Sequence, residues 1–107
     1  HLAHYHNLYE HLMSHWRKVL PGRFYEVSYE QLTSNQEPES RQLIEYCGLE
    51  WQDACLDFHK TQRKVKTASA FQVRQPMHNQ SVDLWKRYGD ALQPLLEDLY
   101  IPKEYRT

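Results

Sequence analysis

Apolar residues recur at three- and four-residue spacing from the start of the chain: Leu2, Tyr5, Tyr9, Leu12, Met13, Trp16, Val19 and Leu20. This pattern predicts a helix over 2–19 with one apolar stripe, stopped by Pro21-Gly22. The next stretch, Phe24-Tyr25-Glu26-Val27-Ser28-Tyr29, is aromatic and β-branched, so a short strand is expected at 24–28. Leu32 to Asn35 reads as a loop with capping chemistry. Beyond it a helix over 36–47 turns Leu43, Ile44 and Cys47 inward and has Pro38 in its first turn, where a missing N–H is harmless. Gly48 suits the left-handed position after its end, with Leu49 as the apolar contact that follows.

Trp51, Ala54, Cys55 and Phe58 predict a shorter helix over 51–59. Ser81 is placed to cap a helix over 81–88 that carries Val82, Leu84, Trp85 and Tyr88 and breaks near Gly89. Asp90 is the expected cap of a last helix over 90–100 with the stripe Leu92, Leu95, Leu96 and Leu99, and Ile101 onward reads as a tail. Trp16 and Trp85, both on apolar stripes, are assigned to the core. A helix, a Pro-Gly turn and a strand form one α-to-β step of an α/β protein. A lone strand must find a partner, hang at an edge or be lost.

Composition narrows this picture. With 107 residues the chain is one domain or part of one, without room for a full two-layer nucleotide-binding enzyme. Apolar residues at 40% and aromatics at 13% argue for a folded chain, while a mean hydropathy of −0.87 points to a large surface or to missing packing partners. Thirteen basic and 14 acidic residues give a net charge of −1, so bulk electrostatics favour neither nucleic acid nor an anionic membrane, and an anion site must come from local clustering. Cys47 and Cys55 lack the spacing of a zinc set and are read as buried or half-buried free thiols, which suits a reducing, cytoplasmic setting. No apolar run is long enough to span a membrane, and the opening HLAHYH has no apolar signal region. The chain opens without Met, already inside a helical pattern, and is expected to be a fragment of a longer protein.

Two clusters carry candidate chemistry. His4, His11 and His15 share a helix face, and the i, i+4 pair could chelate a divalent metal. No carboxylate lies between the pair, so only adventitious metal binding is expected and no native metal site is assigned. The second cluster is KVKTASAFQVRQP, Lys64 to Pro76. Thr67 and Ser69 offer hydroxyl and backbone donors, Phe71 an aromatic face and Arg74 a planar fork that suits phosphate, with Arg63, Lys64 and Lys66 leading in. The same residues would also serve as a solvated basic connection.

Three pieces in order, LMSHWRKVLPGRFYEVSYEQL, ESRQLIEYCGLEW and KTASAFQVRQPMHNQSVDLWKRY, resemble the C-terminal part of the sulfotransferase superfamily. The resemblance is to the bacterial group often fused to tetratricopeptide repeats, with the tyrosylprotein sulfotransferases as more distant relatives. It implies an α/β fold of the P-loop type, here as a C-terminal fragment (residues 1–107) that is mostly α with one short strand. It implies transfer of a sulfuryl group from 3′-phosphoadenylyl sulfate (PAPS) to an acceptor hydroxyl or amine. The family's phosphosulfate-cradling Gly-rich loop and catalytic base belong to an N-terminal half, the implied partner, and no such loop occurs among the three glycines here. No catalytic residue is therefore assigned, and the fragment alone is expected to be inactive.

Matched residue by residue, Tyr29 corresponds to the family tyrosine beside the adenine ring, and Thr67, Ser69 and Gln72 to the segment closing over the adenosine end. Where the tyrosylprotein relatives have lysine before the proline, this chain has Gln75, with Arg74 beside it. An adenine wants an aromatic face, and a 3′-phosphate wants an arginine. Tyr29 could equally end a strand against the core, Gln72 could simply dock the loop, and Glu30 orients the loop rather than acting as a base. The alternative to the sulfotransferase reading is a small, non-catalytic helical interaction module.

Overall fold

The first stripe forms the helix it predicts: α1 spans Leu2–Val19. Arg17 and Lys18 in its last turn oppose the negative end of the helix dipole. Its end is closed by the Leu20 N–H donating to the Trp16 carbonyl at 2.9 Å, and Gly22 then turns the chain at φ 71°. The computed structural model describes residues 1–101. These fall into two units, His1–Phe24 with the described residues from Asp83 onward, and Tyr25–Val82.

In the first unit α1 packs on α4, Gln93–Asp98. The expected helices over 81–88 and 90–100 are both revised. Ser81 caps nothing. Instead a run of 3-10 turns, Leu84–Leu92, starts after Asp83, which takes the left-handed conformation (φ 61°) and ion-pairs with Lys86 at 2.6 Å. Gly89 breaks this run at φ 50°, ψ −134°, as its composition suggested. The last helix starts late because Pro94 has no N–H to give a carbonyl four residues back, and its ring would collide with that carbonyl. Starting at Gln93 puts Pro94 in the first turn, where neither matters.

One side chain joins the two helices. The Asn7 amide donates to the Asp98 carbonyl at 2.7 Å and accepts the Tyr100 N–H at 2.6 Å, so it closes the end of α4 from the side of α1. Next to it the His11 ring stacks on Tyr100, centroids 4.4 Å apart and 22° from parallel. At 1.5 Å per residue, α4 is about 9 Å long and α1 about 27 Å, so α4 covers only part of the stripe. Trp16 accordingly stays 39% exposed and Trp85 50% exposed, and neither is a core residue.

The second unit contains no strand. Residues 25–28 are extended without a ladder, because a strand needs a neighbour for its N–H and C=O groups. Tyr25 is instead held on α3 (Gln36–Tyr46), its ring 5.0 Å from that of Tyr46 and its hydroxyl donating to Gln42 at 3.3 Å. Where a capping loop was expected there is a further helix, α2 (Tyr29–Ser34), begun by the Ser28 side chain accepting the Gln31 N–H at 3.3 Å. Glu30 in its first turn adds a favourable dipole interaction.

The end of helix α3 is bounded as its sequence predicts, whereas Asn35 before its start makes no side-chain capping hydrogen bond. Its C-terminus is a Schellman motif: the Leu49 N–H donates to the Ile44 carbonyl at 3.1 Å and the Gly48 N–H to the Glu45 carbonyl at 2.9 Å, with Gly48 at φ 69°. Cys47 is exposed rather than buried, and Cys55 is half-buried; both are free thiols.

The helix expected over 51–59 is replaced by two 3-10 turns, Asp53–Cys55 and Phe58–Lys60. An isolated nine-residue helix is marginal in water, and here the Trp51 indole donates to the Asp53 carboxylate at 2.9 Å across an extended Gln52. Within the described residues only Ala3 among the apolar side chains is buried.

Gly48 yields a direct test. A β-carbon there meets no atom within 4 Å, so Gly48→Ala costs only backbone strain in the left-handed region, about 1–2 kcal/mol. Urea unfolding should show this loss, and Gly48→Asn should recover part of it. An unchanged midpoint for Gly48→Ala would contradict the left-handed terminus.

Candidate functional site

The basic segment is ordered by Arg74. Its guanidinium donates to the Thr61 carbonyl and, at 2.9 Å, to the Arg63 carbonyl. A planar fork with fixed donor directions can bridge two carbonyls of one extended segment, which the single point charge of a lysine cannot do in the same way. The clasp brings residues 61–63 beside two successive 3-10 turns, Ala68–Ala70 and Gln72–Arg74. These turns are tied by the Ala70 N–H donating to Thr67, Arg74 to Phe71 and Gln75 to Gln72, all at 3.1–3.2 Å.

The candidate residues fall on this frame as follows. Thr67 is the extended residue before the first turn and Ser69 lies within it. Gln72 and Arg74 begin and end the second turn, and Gln75 is the extended residue after it. Neither the Thr67 nor the Ser69 hydroxyl has a hydrogen-bond partner among the described residues, so both are available to a ligand. Phe71 joins the turns and is 75% exposed.

Tyr29 is the first residue of α2 rather than the end of a strand, and it is 46% exposed. No hydrogen bond or ring contact among the described residues links it to the 67–75 segment. The five residues from Thr67 to Gln75 are thus brought together, whereas Tyr29 stands on a separate helix. Glu30 receives the Ser28 hydroxyl at 3.3 Å, a role in starting α2.

A cavity of about 300 Å³ opens beside Arg74, bounded by Phe58, Thr61, Arg63, Lys64, Val65 and Val73. Of Tyr29, Thr67, Ser69, Gln72, Arg74 and Gln75, only Arg74 lines it. Arg63 and Lys64 were visible in the sequence as charge leading into the segment, but their place at a cavity with Phe58 and Val73 depends on the Arg74 clasp.

His11 is stacked on Tyr100 and His6 lies 3.7 Å from Glu10. Among the described residues no group of three or more His, Cys, Asp or Glu side chains stands where it could hold an ion.

Residues 1–53 match the sulfotransferase family. This makes the first half of the chain, α1 through the start of the first 3-10 turn and including Tyr29, a sulfotransferase-like region. Residues 67–75 lie outside the match. A protein of Aquifex aeolicus (strain VF5) described as uncharacterized is 43% identical over 98 residues, which are 92% of this chain and 13% of that protein. The chain thus spans a small part of that relative's length. No solved structure matches. No helix among the described residues is long and apolar enough to cross a membrane.

If Arg74 orders the segment, Arg74→Ala should speed tryptic cleavage after Arg63, Lys64 and Lys66 several-fold in the full-length protein. Arg74→Lys should not restore protection. Digestion at the parental rate in Arg74→Ala would show that the clasp is dispensable.

Proposed function

We propose that this chain is the C-terminal portion of a PAPS-dependent sulfotransferase of the P-loop type, and that its 67–75 segment covers the adenosine end of PAPS. The observation that carries the reading is the sulfotransferase match over residues 1–53. The free hydroxyls of Thr67 and Ser69 and the open ring of Phe71 supply the donors and the aromatic face that an adenosine requires. Arg74 uses part of its fork on the Thr61 and Arg63 carbonyls, and its remaining N–H groups suit the 3′-phosphate. Gln72 and Gln75 supply amide groups at the ends of the second turn, and Tyr29 a second ring.

In this reading PAPS supplies the sulfuryl group that passes to an acceptor hydroxyl or amine. The residues of this chain bind and orient the nucleotide and keep water from its adenosine end. The donors aimed at the developing charge, and the base, come from the N-terminal half of the same domain. That half also accounts for the exposed apolar surface outside α1. The parent protein is of the tetratricopeptide-repeat-fused kind and cytoplasmic, where Cys47 and Cys55 stay reduced.

The test is PAPS binding by the full-length protein with Tyr29→Ala, Ser69→Ala and Arg74→Ala. Loss of one charge-assisted hydrogen bond weakens binding by about 1.5–3 kcal/mol, so Arg74→Ala should lower affinity at least about tenfold. Smaller losses are expected for Ser69→Ala and Tyr29→Ala. The chain expressed alone should bind weakly and show no transfer. A parent protein without affinity for PAPS, or with affinity untouched by all three changes, would remove the reading.

A further inference from the structure

We propose that the exposed stripe of α1 is a self-association surface, on which two copies of this protein pair through their first helices in antiparallel orientation. Leu2, Tyr5, Tyr9, Leu12, Trp16 and Val19 follow one another at alternating spacings of three and four, which is the seam of a coiled-coil helix. All six are between 39% and 76% exposed. Helix α4 is joined to α1 through Asn7, and the buried Ala3 lies on the same side, about half a turn of the helix away from the seam. Leu95 and Leu99 of α4 border a groove of about 430 Å³ with Leu2, Tyr5, His6 and Tyr9, and so widen the apolar surface at that end. The inference does not rest on the sulfotransferase reading: it assigns the α1 seam to a second copy and leaves the apolar residues exposed elsewhere to the N-terminal half.

A second copy fits this seam in register, charge and area. Turned about a two-fold axis beside residues 10 and 11, the seam meets itself with Leu2 against the partner's Val19, Tyr5 against the partner's Trp16 and Tyr9 against the partner's Leu12. A parallel pair would set Trp16 on the partner's Trp16 and crowd the basic Arg17 and Lys18 of both copies at one end; the antiparallel pair separates them. It also keeps the two α4 helices at opposite ends, each with Leu95 and Leu99 beside the partner's Trp16 and Val19. His6, Leu8, Met13 and His15 flank the seam, and none is acidic, lysine or arginine, so no carboxylate, ammonium or guanidinium has to be buried as the copies meet. The His15 ring meets Trp16 edge-on at 5.1 Å and the His6 ring lies 6.2 Å from Tyr9, so both imidazoles extend the aromatic wall. A fully exposed aromatic side chain offers about 150–250 Å² and an aliphatic one less. The open parts of the seam residues and Leu8 therefore come to about 700 Å² per copy, near the roughly 800 Å² per partner of a stable interface.

Analytical ultracentrifugation of the full-length protein should show a dimer at micromolar concentration. Leu12→Glu, which sets a charge in the centre of the seam, should raise the dissociation constant at least about tenfold with helix content by circular dichroism unchanged. Tyr9→Phe should keep the dimer. Register and direction are read by cross-linking with Cys47 and Cys55 replaced by Ser. Adding both Tyr9→Cys and Leu12→Cys should give an interchain disulfide under mild oxidation, because these positions face each other across the antiparallel pair, and either change alone should give far less. A full-length protein that stays monomeric at submillimolar concentration, a dimer untouched by Leu12→Glu, or cross-linking by a single cysteine variant equal to that of the pair would each overturn the proposal. A dimer that behaves as expected but has no affinity for PAPS would uphold it and remove only the sulfotransferase reading.

Discussion

The Arg74 clasp does in the second unit what a sheet would do elsewhere. With no ladder among the described residues, the segment from Thr61 onward has no regular set of backbone partners. One guanidinium that bridges the Thr61 and Arg63 carbonyls fixes where that segment runs. The positions of Arg63, Lys64, Val65 and Val73 around one cavity follow from it. The order of the two turns that display Thr67, Ser69 and Gln72 depends on the same short stretch of hydrogen bonds.

In the first unit Asn7 has the equivalent part, donating to the last carbonyl of α4, that of Asp98, and accepting the Tyr100 N–H just after it. Both units are therefore pinned by polar side chains reaching to backbone, while their apolar stripes remain largely uncovered. Hydrogen bonds of this kind contribute about 1 kcal/mol each, more when charged, and burial of large side chains would contribute more. In the sulfotransferase-like region, residues 1–53, the apolar stripe of α1 stays largely exposed.

Periodicity was a sound guide where an element is local. The bounds of α1, the break at Gly89 and the Schellman end of α3 at Gly48 each depend on residues within a few positions of one another, and each was legible. It failed where an element depends on a neighbour. The expected strand over 24–28 had no partner strand and settled on α3 through Tyr25, and Ser28 then capped a helix that the pattern did not indicate. The helix expected over 51–59 lost to an indole-carboxylate bond and an extended Gln52.

The candidate site divides along the same line. Sequence alone determined its chemistry: which residues carry hydroxyls, amides and positive charge, and that charge is concentrated near Lys64 in a chain of almost no net charge. Tertiary structure decided which of these share a surface. It grouped Thr67 to Gln75, set Tyr29 on a helix of its own, and drew Arg63 and Lys64 to a cavity through an arginine eleven residues from one of the carbonyls it holds. Residue type and spacing specify hydrogen-bonding capacity, whereas the pairing of a donor with a distant carbonyl depends on how the intervening backbone closes, which no local pattern encodes.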